Sequence, residues 1–183
     1  MLSVLTTDQK GIVAETKIAA AVLALGLGVS KPMGDERYDL IFDLRPNLLR
    51  VQCKWAWQRG DVLVIRTRRS RRARAGLIHH QYQPGEIDAV AAYSELTDRT
   101  YLLPLDMSVH RAAVQLRLNP SRNNQSIGVN WARDFELGAT LAKLNGPIAQ
   151  LGERVHGMHE AAGSSPAGST GKPPARRLSL FEV

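Results

Sequence analysis

Three polar side chains of a predicted β-hairpin form the first candidate site. The stretch "RYDLIFDLRPNLLRVQCKWA", residues 37–56, alternates apolar and polar residues on both sides of a turn at Pro46. Residues two apart in a strand share a face, so Gln52 and Lys54 point to the same side. The turn brings Asp39 opposite them. A carboxylate, an amide and an ammonium group should therefore meet at one end of the hairpin, which is the geometry of a polar site.

Two other residues of the hairpin, Asp43 and Cys53, are not expected to contribute their side chains to this cluster. Asp43 shares a face with Asp39 but lies four residues further on, roughly 13 Å along the strand at about 3.3 Å per residue, too far for both to bind one metal ion. The Cys53 side chain points to the opposite side from Gln52. We expect this thiol to be a core residue and not a nucleophile.

A fourth candidate, Glu15, lies in a predicted helix before the hairpin. Thr6 and Gln9 have the spacing of a capping box, and glycines end the Ala-rich sequence that follows, so a helix is predicted over residues 8–25. Apolar residues surround Glu15 at helical spacing, which places its carboxylate on the face that packs against the protein. A charge there needs a partner. The apolar neighbours are Ile12, Ile18, Ala19 and Val22.

A run of arginines follows the hairpin. Guanidinium groups contact phosphates bidentately and make affinity steeply dependent on salt, but they do not by themselves identify bases. The alternative for this run is a solvated loop. The adjacent His79 and His80 would point apart on a strand and make a poor metal pair, so we assign them separately to a loop. Six arginines fall within nine positions: Arg66, Arg68, Arg69, Arg71, Arg72 and Arg74.

The remaining elements are predicted from alternation and turn residues. "GDVLVIRTR" has the pattern of a third strand, and residues 89–93 and 100–104 form two more strands joined at "ELTDRT". A polar loop begins near Asn119 and leads to a helical piece in "NWARDFELGATLAKL". One helix followed by several hairpin-linked strands indicates an α+β or mixed-sheet fold.

The domain is predicted to span residues 1–144 and to be followed by a disordered tail, residues 145–183, in which Gly, Ser, Pro and Ala predominate. We interpret residues 146–170 as translated tRNA-gene sequence. "IAQLGER" can be encoded by a D-arm sequence, "GSSP" by a T-arm sequence and "HGMH" by an anticodon arm. This interpretation argues against a metal site at His156 and His159.

Composition limits the class of protein and partner. The 183 residues are 44% hydrophobic, which suits one domain, and the net charge of +7 points to a polyanionic partner, nucleic acid first. The single cysteine cannot form an internal disulfide, and no window approaches the roughly 20 apolar residues of a membrane span. The first residues also lack the pattern of a signal peptide. We expect a soluble, cytoplasmic protein with no membrane partner.

Asp39, the hairpin and "VQCK" together resemble the core of the PD-(D/E)XK nucleases. In that core two acids and a lysine surround Mg²⁺, and a preceding helix supplies a glutamate, the position that Glu15 fills. Tyr38 stands where the motif has Pro, and Gln52 where it has the second acid. The sequence is most similar to the branch with group I intron-encoded homing endonucleases, some of which also have Gln there, over residues 8–137. The resemblance implies an α/β, restriction-endonuclease-like core with a mixed β-sheet flanked by helices.

The resemblance also implies a role for each candidate residue. Asp39 would bind Mg²⁺ directly, with neutral oxygens from the Gln52 side chain and the Cys53 backbone carbonyl as further ligands. The Gln52 nitrogen would then face an acceptor, either Glu15 or a DNA phosphate. Lys54 would orient the attacking water or help to deprotonate it, and balance the phosphate charge. Glu15 would hold a metal-bound water or Lys54.

The expected function is Mg²⁺-dependent hydrolysis of phosphodiester bonds in double-stranded DNA by a homing or mobile-element endonuclease. One small domain carries one site and a double-strand break needs two, so we expect a homo-oligomer, either a dimer or a tetramer. Two alternatives stay open: a structure-selective nuclease such as a Holliday junction resolvase, and a non-catalytic DNA-binding module. If the resemblance is set aside, Asp39, Gln52 and Lys54 would be a polar hairpin face with surface ion pairs.

Overall fold

The long N-terminal helix forms as the sequence predicts. The computed structural model describes residues 5–73, 76–120 and 126–144. In it, helix α1 spans Thr7–Ala24, and the Thr6 side chain accepts a hydrogen bond from the Gln9 backbone while the Gln9 side chain accepts one from the Thr6 backbone. The buried face is formed by Ala14, Ile18 and Val22. Ile12, expected on this face, is instead 63% exposed because it lies at its outer edge.

In the described part of the chain, ten strands and short helical segments follow α1. The strands are β1 (Gly28–Ser30), β2 (Leu40–Asp43), β3 (Leu48–Trp55), β4 (Trp57–Arg59), β5 (Val62–Arg66), β6 (Arg68–Ala73), β7 (Gly76–Gln81), β8 (Ala89–Ser94), β9 (Arg99–Pro104) and β10 (Ala113–Arg117). Helix α2 (Leu105–Ser108) precedes β10, a 3-10 turn spans Ala132–Phe135, and residues 137–144 are helical. The late helical piece and the paired strands at residues 89–93 and 100–104 are thereby confirmed. None of these helices is long and apolar enough to cross a membrane.

The first sheet is mixed, which confirms the predicted fold class. Its strand order is β1-β2-β3-β8-β9, and β3 pairs with β8 in parallel while the other neighbours are antiparallel. The strand predicted in "GDVLVIRTR" exists as β5, but it lies in a second sheet of order β10-β5-β4. All six residues of β8 are buried, so β8 and not β5 occupies the place beside β3, where both faces are covered.

The first sheet lies between two hydrophobic cores. On one side, α1 and residues of the terminal helical segment pack against it, and Cys53 belongs to this core, as expected. On the other side, the second sheet covers it, with Leu63, Ile65 and Leu116 fully buried. Because successive residues of a strand face opposite sides, Gln52 and Lys54 face the second core and not α1.

The arginine run forms a strand and not the solvated loop of the alternative interpretation. Strands β6 and β7 pair as an antiparallel hairpin in which Arg69 lies opposite His80. His79 and His80 therefore lie in β7, and their assignment to a loop is wrong. The hairpin forms because the backbones of β6 and β7 pair with each other. A run of like charges in the sequence gives no sign of this pairing. Arg74 and the predicted tail lie outside the described residues.

Candidate active site

Strand register brings Asp39 to the predicted position opposite Gln52. Leu40 pairs with Val51, and Asp39, which comes just before β2, donates its backbone N–H to the Val51 carbonyl at 2.9 Å. The next pair in an antiparallel register joins Asp39 to Gln52. The hairpin therefore places the Asp39 carboxylate, the Gln52 amide and the Cys53 backbone at one end of the two strands, where β2 begins.

The Asp39 carboxylate is held by β3 through one of its oxygens. Oδ2 accepts a hydrogen bond from the Cys53 backbone N–H at 2.7 Å and another from Gln52 Nε2. Burial raises the pKa of Asp39, and the nearby Glu15 charge raises it further, while the Cys53 hydrogen bond and the Lys54 charge act in the opposite direction. A carboxylate in this position would be stabilised by an additional cation.

Gln52 is buried and uses both ends of its amide. Nε2 donates to Asp39 Oδ2, and Oε1 accepts a hydrogen bond from the Tyr82 hydroxyl at 2.7 Å. The sequence pointed to Glu15 or a DNA phosphate as the partner of the Gln52 nitrogen, whereas the structure gives Asp39. The difference arises because the register places the Asp39 oxygen directly opposite the amide, nearer than any group on α1.

Lys54 lies beyond Gln52 on the same face of β3. Its Nζ donates to the Tyr82 hydroxyl at 3.2 Å and lies 5.6 Å from the centre of the Tyr82 ring. Burial lowers the pKa of Lys54, and the Asp39 carboxylate opposes that shift. The Lys54 ammonium group therefore interacts electrostatically with the Asp39 carboxylate and is poorly solvated.

Glu15 is partly buried on α1 and is paired with a residue that sequence reasoning missed. Its Oε2 lies 2.7 Å from Lys31 Nζ, and 25% of the Glu15 side chain is exposed. The expected contact with Lys54 is not made, because α1 packs on the Cys53 side of the sheet while Lys54 faces the other side. Lys31 follows the short strand β1, and nothing in its sequence context pointed to this partner.

Tyr82 is the second residue that the sequence did not identify. It follows β7, only 5% of it is exposed, and its hydroxyl bonds both Gln52 and Lys54. Burial raises its pKa, so the phenol keeps its proton at neutral pH. "HHQYQ" contains no signal for this role, because the contact joins residues 30 positions apart.

A basic cavity of about 550 Å³ opens beside Tyr82. Two of its arginines are paired with acids: Arg69 Nη2 lies 3.1 Å from Asp35 Oδ1, and Arg37 Nε lies 3.4 Å from Glu86 Oε1. Arg68 Nε is buried and has no hydrogen-bond partner among the described residues. The basic residues that line the cavity are Arg37, Arg68, Arg69 and His80.

The five predicted arginines that the structure describes divide into three groups. Arg68 and Arg69 line the cavity, whereas Arg66 is exposed at the end of β5 in the second sheet and does not line it. Arg71 and Arg72 continue β6 along the hairpin. Arg37 and His80 join the cavity without having been predicted, because the chain brings them there from outside the run.

The donor set fits a hard divalent cation. Both hydrogen bonds that Asp39 accepts within the described residues go to Oδ2, which leaves Oδ1 for another partner. The Gln52 carbonyl, the Cys53 backbone carbonyl and the Glu15 carboxylate add further oxygens, the ligands that Mg²⁺ and Ca²⁺ prefer. The described residues contain no cluster of three His, Cys, Asp or Glu side chains that could hold a metal ion.

Comparison with known proteins finds one matching family model and a similar solved structure. The family model described as "PD-(D/E)XK endonuclease" matches residues 5–138, a span that includes Glu15, Asp39, Gln52 and Lys54. A solved structure of a bacterial homing endonuclease, I-Ssp6803I, is similar, with 27% sequence identity and a TM-score of 0.64, and the match covers 80% of this chain and 99% of that one. None of the curated proteins compared with the sequence matches it.

Proposed function

Because the chain belongs to the PD-(D/E)XK endonuclease family, we propose that it is a Mg²⁺-dependent endonuclease that hydrolyses phosphodiester bonds in double-stranded DNA. The observation that carries this proposal is the continuity of the basic cavity with the acid site. Tyr82 lines the cavity and at the same time bonds Gln52 and Lys54. A phosphate bound by the arginines would therefore lie next to the groups that hold Asp39.

Four residues would hold the cation: Asp39 through Oδ1, Gln52 through its side-chain carbonyl, Cys53 through its backbone carbonyl, and Glu15 through a bridging water. A bound divalent ion lowers the pKa of water and withdraws charge from a phosphate. Since Gln52 is neutral, the site carries one negative charge fewer than a three-acid site. Binding of a second cation should therefore be weakened more than binding of the first.

Lys54 would act at the attacking water. Its lowered pKa makes the exchange of a proton easier than for an exposed lysine, and its ammonium form balances the charge of the phosphate. The hydrogen bond to Tyr82 orients Nζ on the side of β3 that faces the cavity. Lys54 therefore combines a proton-transfer group and a positive charge at the reacting centre.

The basic cavity would bind the DNA backbone. Arg69 and Arg37 now pair with the exposed Asp35 and with Glu86, and a phosphate, which accepts two parallel hydrogen bonds from a guanidinium group, would compete for them. Such contacts fix the position of the duplex without identifying its bases. The proposed DNA-binding arginines also include Arg66, Arg71, Arg72 and Arg74.

We further propose a homing or mobile-element role and assembly as a homo-oligomer. A solved structure that the chain resembles is that of a bacterial homing endonuclease. A double-strand break needs two hydrolytic sites, and this chain carries one. Two or four copies would supply them.

The test uses two DNA substrates of equal length. One is a linear duplex made by joining the two sequences that flank this gene, and the other is a four-way junction. Each is incubated with the protein and Mg²⁺, once without and once with a chelator. We expect cutting of the linear duplex that stops when the metal is removed. Cutting of the junction alone would favour a structure-selective nuclease. Binding of either DNA without any metal-dependent cutting would favour a non-catalytic DNA-binding module.

A further inference from the structure

The four polar groups of the site form a hydrogen-bond chain with one direction. Lys54 Nζ donates to the Tyr82 hydroxyl, the hydroxyl donates to Gln52 Oε1, and Gln52 Nε2 donates to Asp39 Oδ2. The chain runs from a cation to a carboxylate through two neutral side chains. Each link fixes the orientation of the next, because an ammonium group has only donors and a carboxylate only acceptors.

This direction conflicts with the use of Gln52 as a metal ligand. An amide coordinates a cation only through its oxygen, yet in the chain the nitrogen faces Asp39. For the carbonyl to point at an ion held by Asp39, the amide must turn over. Its nitrogen then faces Tyr82 and needs an acceptor there.

We propose that Tyr82 is a positioning residue of this nuclease site, because its hydroxyl serves both orientations of the Gln52 amide. A hydroxyl can donate to the carbonyl and, when the amide has turned, accept from the nitrogen. The inference rests on the proposed function, since it assumes a divalent cation at Asp39. It assigns a role to a side chain that lies outside the acid, amide and lysine of the motif.

Lys54 cannot replace the hydroxyl in the turned orientation. If the hydroxyl is removed, the ammonium, now without its acceptor, can still donate directly to Gln52 Oε1 in the metal-free orientation. In the turned orientation the Gln52 nitrogen and the Lys54 nitrogen are both donors, and neither has an acceptor. Loss of the hydroxyl should therefore penalise the cation-bound state more than the metal-free state, and metal affinity should fall.

Gln52→Glu provides the background that isolates this effect. Both ends of a carboxylate accept hydrogen bonds, so a glutamate at this position can face the cation and Lys54 at once without turning over. The Tyr82 hydroxyl is then no longer needed to form hydrogen bonds with two orientations of the side chain at position 52. The consequence of removing it should be much smaller in this background than in the parent.

Tyr101→Phe is the matched control. Tyr101 packs in the same second core as Tyr82, only 1% of it is exposed, and its hydroxyl makes a hydrogen bond of 3.2 Å with Thr97 Oγ1. The substitution removes the same buried hydroxyl group without touching the site. It therefore reports the effect on folding alone.

The experiment titrates Mn²⁺, which oxygen sites also accept, into DNA-free protein and follows the heat of binding. The proteins are the parent, Tyr82→Phe, Tyr101→Phe, Gln52→Glu, and the double variant with Tyr82→Phe and Gln52→Glu. We expect Tyr82→Phe to weaken binding about 10- to 100-fold in the parent, the range for loss of a partner of a metal ligand, and about twofold in the Gln52→Glu background. Tyr101→Phe should bind as the parent does.

Cleavage of the linear duplex gives a second readout. The Tyr82 hydroxyl bonds Gln52 and Lys54, so Tyr82→Phe should lower kcat at moderate Mg²⁺ and leave the KM for DNA within about twofold, a split typical of groups that act at the reacting centre. Equal Mn²⁺ affinity of parent and Tyr82→Phe would overturn the inference, and so would an equal loss in both backgrounds. A parent protein that neither binds Mn²⁺ nor cuts DNA would instead contradict the proposed function.

Discussion

Lys54 combines a partly buried charge with one neutral hydrogen-bond partner among the described residues, the Tyr82 hydroxyl. We expect Lys54→Ala to reduce the rate of cleavage by about 10²- to 10⁴-fold, the usual contribution of a positioned proton-transfer group. Duplex affinity should change little, because Lys54 is not among the residues that line the basic cavity and Nζ reaches only the hydroxyl of Tyr82, which does line it. Single-turnover cleavage and equilibrium binding of the same duplex provide the measurement. Comparable losses of rate and affinity would identify Lys54 as a binding or folding residue.

Gln52 is the position where an acid would change the metal requirement. We expect Gln52→Glu to keep measurable cleavage at a lower Mg²⁺ concentration than the parent, because the added charge strengthens metal binding. It also brings a carboxylate next to that of Asp39 and so raises the pKa of at least one of the two. Gln52→Ala should lose most activity and need more metal. The check is a Mg²⁺ titration of cleavage for the three proteins on one duplex; identical curves for Gln52→Ala and the parent would exclude Gln52 as a ligand.

The sequence predicted which residues of the hairpin lie together in the candidate site, and it missed the contact with Tyr82, which is distant in the chain. Asp39, Gln52, Cys53 and Lys54 lie on one hairpin, where a period of two and one turn fix the geometry. Tyr82 comes from the far end of another hairpin. No spacing rule relates residues that meet only after a whole sheet has assembled.

At the scale of elements, Asp88, which directly precedes β8, forms hydrogen bonds and an ion pair with Arg50 of β3. Asp88 Oδ2 accepts hydrogen bonds from the Arg50 backbone at 2.8 Å and from Arg50 Nε at 3.0 Å, and Oδ1 accepts one from Arg50 Nη2 at 2.9 Å. These bonds hold the pKa of Asp88 below its usual range. A lowered folded-state pKa means that this stabilisation is present above the unfolded-state pKa of about 3.9 and is lost as the pH falls through the folded-state pKa.

We therefore expect Asp88→Asn to lower the free energy of unfolding at pH 7 by about 1–3 kcal/mol, since it weakens charge-assisted bonds to a partly buried arginine. The difference from the parent should shrink as the pH is lowered below about 4. Urea unfolding at several pH values measures both effects. Asp35→Asn is the control, because 89% of that side chain is exposed. A difference that stays constant with pH would show that the charge of Asp88 contributes nothing.

The hairpin of β6 and β7 should act on DNA of any sequence. Replacing Arg68, Arg69, Arg71 and Arg72 together by Ala should weaken binding to cognate and random duplexes alike. The slope of log affinity against log salt should flatten by about 0.9 for each phosphate that the variant no longer neutralises. Salt titrations with both duplexes give the slopes. A weakening confined to the cognate duplex would mean that these arginines bind bases.

Elements with strong local signals were predicted, and elements that depend on their partners were not. Helix α1 has its capping box, and β8 and β9 are apolar runs about a turn. Strand β10 and the hairpin of β6 and β7 have weaker patterns and form because another strand offers backbone partners. The place of β5 in a second sheet could not be derived either, since it depends on which strand pairs with β3.

At the scale of the whole molecule, the chain is proposed to need only its first 144 residues. Truncation after Leu144 should leave the melting temperature and the cleavage rate unchanged, because the composition beyond it is poor in apolar residues that could form a core. Thermal melting and duplex cleavage of the shortened and full-length proteins make the comparison. Loss of a cooperative melt on truncation would contradict both the predicted boundary and the interpretation of residues 146–170 as translated tRNA-gene sequence.

The alanines of β8 set the gap between two halves of the site. Ala91 is fully buried in the core that α1 forms with the first sheet, and Glu15 is carried by α1 whereas Asp39 is fixed to the neighbouring β3. A larger side chain at this position would push the helix off the sheet. The two acids would separate while each kept its own hydrogen bonds. The small side chain of Ala91 therefore helps to set the distance between the helix that carries Glu15 and the strand that holds Asp39.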